Sequence, residues 1–430
     1  MQSSSRLVRA VSRWQVIAIS INGVVGSGVY LLPAAAAAFM GAASLWAVPL
    51  AGIAVLLLAL CFAEAGSRFD EPGGGYVYAR AAFGEFVGFQ VGWMTWLARI
   101  ASGAALWNGL AQALTFVAPG AGEGFTRVAV IVAPLVLLTA INVIGVRHAA
   151  RLEVAFAAAK LLPLLFLIAV GIPAIDGSLL VPMPALDPAG LGAAAGLLLF
   201  AYAGFENTAA AAGEFKNPRR DVPFALIGSI LAITLLYTLV QLVALGTLAD
   251  LAARTDGAPL ADAATLIVGG WAGVFLTLGA VVSIGGNIAS TMLVGPRYLF
   301  AMATRGCGPA FLAEIHPRFR TPYWSIVAQS AITGALALSG SFVQLAMLSI
   351  VARLATYIGT AAAVPVLRRK YGADERSVVL LPGGPTIPVL ALLVCIAFLA
   401  SARVENLLAG LIALLAGATI YLFRRNGRIG

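Results

Sequence analysis

The sequence predicts an all-α membrane protein with twelve transmembrane helices, and three observations support this fold class. First, 61% of the 430 residues are hydrophobic and only 10% are charged, whereas about a quarter of the residues in a soluble domain carry charge. The mean hydropathy of +0.96 agrees with this composition. Second, twelve stretches are long and apolar enough to cross a bilayer. Third, the basic residues fall almost entirely on one side of those stretches.

The predicted spans follow from bilayer thickness. A membrane helix needs about 20 mostly apolar residues, because the hydrocarbon core is about 30 Å thick and a helix rises about 1.5 Å per residue. The stretches that satisfy this length are 14–38, 43–66, 84–117, 126–146, 152–173, 190–212, 222–248, 264–302, 322–339, 341–366, 386–402 and 405–423.

The distribution of Lys and Arg sets the expected orientation. With the N-terminus in the cytoplasm, 21 basic residues lie on the cytoplasmic side, whereas only Arg127, Arg254 and Arg403 lie on the other side. This positive-inside asymmetry predicts that both termini are cytoplasmic. It also accounts for the net charge of +9 without a nucleic-acid partner.

The first span contains an interruption. Residues 23–28 read Gly-Val-Val-Gly-Ser-Gly, and each glycine weakens a helix by about 1 kcal/mol relative to alanine. Backbone that is unwound at membrane depth is tolerated where it lines a cavity or is buried in protein. Close packing of helices through small residues is the alternative interpretation.

The sixth span contains a counterpart, because Gly204, Glu206 and Asn207 follow Phe200 within a few residues. Paired interruptions in corresponding helices are typical of transporters built from inverted repeats, which bind substrate near the bilayer midplane. The sequence therefore predicts the following organisation: a cytoplasmic N-terminal segment at 1–13, a first five-helix repeat at 14–173, a second at 190–366, two accessory transmembrane helices at 386–423 and a cytoplasmic tail at 424–430.

The interruptions also predict a substrate site. A half-helix that starts at a break presents free N–H groups and a positive dipole end, which suit a carboxylate. Carbonyl groups at the unwound backbone suit an ammonium group. The predicted carboxylate ligands are Gly26, Ser27 and Gly28, and the predicted ammonium ligands are Ile21, Phe200, Ala201, Tyr202 and Ala203. A zwitterionic amino acid supplies both groups.

Four motifs resemble those of the amino acid–polyamine–organocation transporters. They are Gly26-Ser27-Gly28-Val29, the segment 72–78 with Phe83-Gly84, the segment 200–206 and the segment 214–223. The resemblance implies a LeuT-like core of five plus five helices in inverted repeats, with broken helices one and six and two further C-terminal helices. It also implies alternating access, amino acid or polyamine substrates, and an aromatic residue at Phe200 that closes over the substrate.

Two charged residues inside the predicted spans, Lys160 and Glu206, are candidates for coupling transport to an ion. Lys160 lies in the fifth span, where a charge costs at least about 2.5–3.5 kcal/mol on insertion scales. In similar proton-coupled or exchange members of the family, a lysine here lies against the first unwound segment, in the position of a sodium site in sodium-coupled relatives. A snorkelling lysine is the alternative for Lys160, and a structural acid that shapes the sixth helix is the alternative for Glu206.

Other polar residues have less certain roles. Trp93 and Trp96 share one face of the third span. They are expected either to shape the pocket for the substrate side chain or to belong to an aromatic belt at the membrane interface. Arg99 has three interpretations: a partner for an acid, a neutralising group for an acidic substrate, or a scaffold residue. Arg353 is equally ambiguous, and Glu64 is expected at the interface.

The favoured function is a secondary active amino acid transporter with proton coupling, and sodium coupling is disfavoured. An amino acid exchanger and a polyamine permease are alternatives, and a channel or substrate sensor is the alternative from another class. Neutral substrates are favoured over cationic ones because Lys160 and Arg99 add positive charge. An enzyme, a metal site and a cofactor are not expected, since both histidines fall in loops and the three cysteines lack ligand spacing. The Ala-, Gly- and Arg-rich composition favours a bacterial inner membrane.

Overall fold

The computed structural model describes residues 13–69, 74–144, 149–181, 187–210, 218–304, 306, 308–372 and 379–426. Outside these ranges lie most of the predicted N-terminal segment, part of the predicted tail, and the motif residues 72–73 and 214–217. The described residues form helices and connecting turns, with no strand among them.

Sixteen α-helices follow one another along the described residues. They are α1 (Arg13–Val24), α2 (Ser27–Met40), α3 (Ser44–Gly66), α4 (Gly75–Phe83), α5 (Glu85–Leu114), α6 (Gly124–Ile144), α7 (Ala149–Gly171), α8 (Pro188–Ala201), α9 (Phe205–Ala210), α10 (Pro218–Thr247), α11 (Pro259–Val268), α12 (Gly270–Thr304), α13 (Tyr323–Ser339), α14 (Phe342–Tyr371), α15 (Thr386–Ala400) and α16 (Val404–Asn426). Short 3₁₀ turns occur at Gly41–Ala43, Pro119–Gly122, Ile172–Ala174, Gly177–Leu180, Leu251–Ala253 and Ala310–Ala313.

Within the described residues, six helical stretches are long and apolar enough to cross a membrane. They are Ser27–Gly66, Gly124–Ile144, Pro223–Thr247, Gly270–Thr304, Phe342–Tyr371 and Val404–Phe423. Four shorter apolar helices accompany them, at Ala159–Ala174, Gly190–Ala201, Pro259–Val268 and Thr386–Ala400. The predicted first and sixth spans are each divided between two helices, which shortens the continuous helix there. The all-helical membrane fold therefore agrees with the prediction from sequence.

The interrupted helices lie together inside the bundle. The first predicted span is divided into α1 and α2, and the sixth into α8 and α9. In the fold, α2 packs against α8 and α1 packs against α9, so the two interruptions meet. Helices α5, α12 and α14 pack beside them, with α5 contacting both of the others. The middle of the bundle is thus built around two places where helical hydrogen bonding stops.

Two short helices depart from the sequence prediction. Helix α4 lies in a stretch predicted as a polar connection, and α11 is separated from α12 by Gly269. Gly269 has φ +101°, a left-handed conformation that glycine adopts without steric cost. A single long eighth span was expected, but this turn divides its first part from the rest.

Glu64, near the end of α3, is buried within the protein. Its carboxylate accepts hydrogen bonds from Nε of Arg368 at 2.6 Å and from the backbone N–H of Leu381 at 3.0 Å. The ion pair joins α3 to α14. A carboxylate can be buried when its charge is paired and its oxygens are hydrogen-bonded, and both conditions hold for Glu64.

The tryptophans of α5 contact neighbouring helices and do not line the central cavity described below. Trp93 donates a hydrogen bond to the carbonyl oxygen of Ala413 at 2.8 Å, and Trp96 donates one to Gln329 at 3.2 Å. Their rings also lie 5.1 Å apart. The predicted pocket does not describe them, because neither side chain lines the cavity and both indole N–H groups join α5 to other helices.

Candidate functional site

The first interruption leaves the start of α2 without a side-chain cap. Gly26 precedes the helix, and no side chain among the described residues caps its first turn. The amide of Asn287 lies against Gly26, in the space that a Cβ atom there would fill. Ser27 is buried, and its hydroxyl has no hydrogen-bond partner within the described part of the chain. Uncapped N–H groups and an unsatisfied hydroxyl together suit an anionic ligand.

Glu206 stabilises the second interruption, which lies directly before it in the chain. Gly204 has φ +122°, and a Cβ atom there would collide with the carbonyl oxygen of Gly23. The backbone N–H of Gly204 donates to Oε2 of Glu206 at 3.0 Å. The hydroxyl of Tyr237 donates to the carbonyl oxygen of Ala201 at 3.1 Å. Side chains therefore satisfy backbone groups that have no helical partner at this break. The two breaks also contact each other through the main chains of Gly23 and Gly204.

Glu206 is joined to α14 by an ion pair. Its Oε1 atom pairs with Nη1 of Arg353, and the hydroxyl of Tyr357 lies 3.4 Å from its Oε2 atom. All three side chains are buried. This arrangement supports the structural interpretation of Glu206, since its carboxylate serves both the break and a buried arginine.

Lys160 reaches the first interruption from α7. Its ammonium group donates to the carbonyl oxygens of Asn22 at 3.0 Å and Val25 at 3.2 Å, and to Oδ1 of Asn287 at 2.9 Å. Lys160 is 1% exposed. The snorkelling interpretation therefore does not apply, because the ammonium group is directed into the protein.

A narrow cavity lies between the two interruptions. Six of the predicted site residues line it, namely Gly26, Ser27, Gly28, Phe200, Ala201 and Ala203. The described lining contains no His, Cys, Asp or Glu and so offers no side chain typical of a metal ligand.

Two predicted ligands lie outside the cavity lining. The carbonyl oxygen of Ile21 accepts a hydrogen bond from the N–H of Val25 at 2.8 Å. The hydroxyl of Tyr202 donates to the carbonyl oxygen of Val48 at 3.2 Å, which directs this side chain towards α3. Gly23 and Val24, at the end of α1, line the cavity in the place expected for Ile21.

Sequence reasoning missed part of the lining. Asn287, Ser290 and Thr291 of α12 line the cavity, as do Ser102 of α5 and Arg353 of α14. None of the α12 residues stood out, because small polar residues are common in long membrane helices. Arg99, which had three open interpretations, also lines the cavity.

A second, more open cavity lies beside Phe342. Phe342 lines this cavity, and Phe200 lines the central one. The two rings meet edge to face, with centroids 5.8 Å apart. Both residues are buried, so an aromatic contact lies between the two cavities.

Comparison with known proteins gives a consistent result. A family model described as amino acid permease matches residues 11–413. The chain is similar to the serine/threonine exchanger SteT of Bacillus subtilis, with 32% identity covering 87% of this chain and 87% of that protein. It is also similar to the branched-chain amino acid permease BcaP of Bacillus subtilis, with 28% identity covering 96% and 92%. The vacuolar cationic amino acid transporter 4 of Arabidopsis thaliana matches with 29% identity over 84% of this chain and 64% of that protein.

Proposed function

Because the chain belongs to the amino acid permease family, we propose that it carries amino acids across a bilayer by alternating access, driven by a proton gradient. The family assignment makes the chain a multi-pass membrane transporter and not an enzyme. The proposal concerns the mechanism, the residues that bind substrate and the ion that drives transport.

The observation that carries the proposal is the cavity between two interrupted helices. Its lining includes the uncapped start of α2, at Gly26, Ser27 and Gly28, which would bind the substrate carboxylate. Carbonyl groups at Gly23, Val24 and Ala203 would bind the ammonium group. The residues between α8 and α9 would thus help to bind the ammonium group, whereas the start of α2 would bind the carboxylate. An amino acid backbone matches both ends of this site.

We assign the coupling role to Lys160, with Glu206 as the structural support of the second break. Lys160 occupies the position in which a bound cation would hold the carbonyl groups of the first break. Loss of one proton would remove the charge of the ammonium group and leave two N–H groups for its three acceptors, so deprotonation and movement of α1 would be linked. Sodium coupling is disfavoured because the ammonium group already fills this position.

The proposed topology has twelve transmembrane helices, with both termini in the cytoplasm of a bacterial cell and the protein in its inner membrane. Two five-helix repeats, 14–173 and 190–366, form the core, and 386–423 contributes two accessory helices. Cysteine labelling from each side of the membrane tests this topology. A cysteine introduced at Arg127 reacting only from the cytoplasmic side would contradict it.

An exchanger is the second candidate, because one similar protein is named an exchanger and shares 32% identity. Purified protein in liposomes separates the two mechanisms. A proton-coupled carrier concentrates labelled amino acid when the outside is acidic and the lumen holds no substrate. An exchanger requires unlabelled substrate in the lumen. A channel would give neither concentration nor counterflow, and that outcome would overturn the proposal.

A further inference from the structure

The charged groups that line the central cavity are cationic. Arg99 and Arg353 line it, and the described lining residues include no Asp or Glu. Each arginine is 7% exposed. Charges interact more strongly in such a buried setting than in water, because the effective dielectric constant is lower. A ligand in this cavity therefore meets positive charge beyond that of the α2 dipole.

The two arginines are held differently. Arg353 forms the ion pair with Glu206. The guanidinium carbon of Arg99 lies over the ring of Tyr298, 5.1 Å from the ring centroid. The N–H groups of a guanidinium lie in one plane, where two of them match the oxygens of a carboxylate.

The lining near Arg99 is rich in hydroxyl groups. Ser102 lies three residues further along α5 and so shares a face with Arg99. Thr291 of α12 lies against Gly103, the residue after Ser102. Ser290 also lines the cavity. Hydroxyl groups can donate hydrogen bonds to carboxylate oxygens, whereas an apolar side chain would leave them unsatisfied.

We propose that the substrate is an amino acid with a side-chain carboxylate, of the aspartate or glutamate type, and that Arg99 selects it. The inference rests on the proposed function, because it assumes that the backbone groups of the substrate occupy the two breaks. The side-chain carboxylate is then the group that Arg99 meets. A dicarboxylic amino acid brings one net negative charge to a cationic lining, whereas a lysine-like substrate or a polyamine adds positive charge. The neutral substrates favoured from sequence give way to acidic ones on this argument.

Counterflow in proteoliposomes tests the substrate class with the wild-type chain. Labelled L-glutamate and labelled L-glutamine are measured separately, because the two have nearly the same shape and differ in side-chain charge. We expect glutamate, and likewise aspartate against asparagine, to be favoured about ten-fold or more. Equal or better transport of the amides overturns the inference and leaves the proposed function intact. Transport of no amino acid by folded, reconstituted protein overturns the proposed function as well.

Three variants test the role of Arg99. Arg99→Gln should lower glutamate transport about ten-fold or more and leave glutamine transport unchanged or improved. Arg99→Lys keeps the charge but loses the planar fork, so it should retain part of the preference. Arg297→Gln is the matched control, since Arg297 is an exposed arginine of α12 outside the cavity lining.

The ratio of glutamate to glutamine transport is the decisive readout for these variants. A purely structural role for Arg99 would lower both rates in proportion and leave the ratio unchanged, which would overturn its assignment as the selecting residue. If Arg99→Gln does not fold, Arg99→Lys decides the same question. An unchanged ratio and KM for glutamate in Arg99→Lys would show that the fork makes no contact with the substrate.

Discussion

The side-chain amide of Asn287 joins Lys160 to Gly26. Its Oδ1 atom lies 2.9 Å from Nζ of Lys160, and its Nδ2 atom lies against the α-carbon of Gly26, where a Cβ would be. One residue of α12 therefore connects the buried ammonium group of α7 with the turn that starts α2. We expect a change at either end to be transmitted through this amide.

Replacement of Lys160 by Met should reduce transport to near background while the protein still folds. The apolar chain fills similar space but removes the ammonium donor from the carbonyl oxygens of Asn22 and Val25, of which Val25 keeps the hydroxyl of Ser283. Loss of buried hydrogen bonds of this kind costs about 1–3 kcal/mol. Uptake in proteoliposomes and thermal unfolding in detergent measure the two effects. Lys370→Met is the matched control, because Lys370 is exposed and its ammonium group donates to the carbonyl oxygen of Ala81, far from the cavity lining. Full activity of Lys160→Met would contradict the coupling role.

Replacement of Asn287 by Ala should raise KM about ten-fold and change the maximal rate less. The reason is that Gly26 loses its supporting amide and Lys160 loses one acceptor, each a contact of about 1 kcal/mol. Initial uptake rates over a range of substrate concentrations give both constants. Asn142→Ala serves as control, since Asn142 donates to the carbonyl oxygen of Leu138 within its own helix. An equal effect of the two substitutions would show that Asn287 has no special position.

Replacement of Glu206 by Gln should destabilise the protein by about 3–5 kcal/mol, because the buried charge of Arg353 loses its partner. The amide keeps an oxygen acceptor for the N–H of Gly204, so the effect isolates the charge. The double variant Glu206→Gln, Arg353→Gln should recover much of the loss. Thermal unfolding of the wild type, both single variants and the double variant completes the cycle. Additive losses would mean that the two side chains do not interact.

Replacement of Gly204 by Ala should destabilise the second break and abolish transport. Its φ of +122° disfavours any side chain, and a Cβ atom would meet the carbonyl oxygen of Gly23. The cost of the conformation alone is roughly 1–2 kcal/mol. Gly285→Ala is the control, because no described atom lies within 4 Å of a Cβ atom there, and it should be neutral or stabilising by about 0.5–1 kcal/mol. Melting temperatures and uptake rates of the two variants compare them directly.

Replacement of Phe200 by Leu should weaken retention of substrate and raise KM roughly two- to ten-fold. The change keeps an apolar side chain but removes the edge-to-face contact with Phe342, which is worth about 0.5–1.5 kcal/mol. Phe125→Leu is the control, since Phe125 is 86% exposed. Concentration-dependent counterflow measures KM in both. An unchanged KM in Phe200→Leu would remove Phe200 from the substrate site.

Local composition predicted the interruptions, because glycines and polar residues clustered at membrane depth disfavour a continuous helix. The observed helix ends at Val24 and Ala201 coincide with the predicted positions. The family resemblance, and not local composition, implied that Lys160 lies against the first break, where it donates to two carbonyl groups. The interruptions themselves depend on local sequence and on the cost of unpaired polar groups in an apolar setting.

Contacts between distant helices could not be predicted in the same way. Glu206 and Arg353 are 147 residues apart in the chain, and nothing in either segment specifies the other. The amide of Asn287 lies in a helix with many other small polar residues, so its direction depends on how α12 rotates against α1. The partner of Glu64 could not be predicted for the same reason, since Arg368 belongs to a helix far along the chain.

The contact between the carbonyl oxygen of Gly23 and the backbone of Gly204 has a mechanical consequence. Main-chain atoms have no rotamers, and close-packed atoms yield little to compression. No soft layer therefore separates α1 from α9 at this point. We therefore expect a tilt of either segment to displace the other.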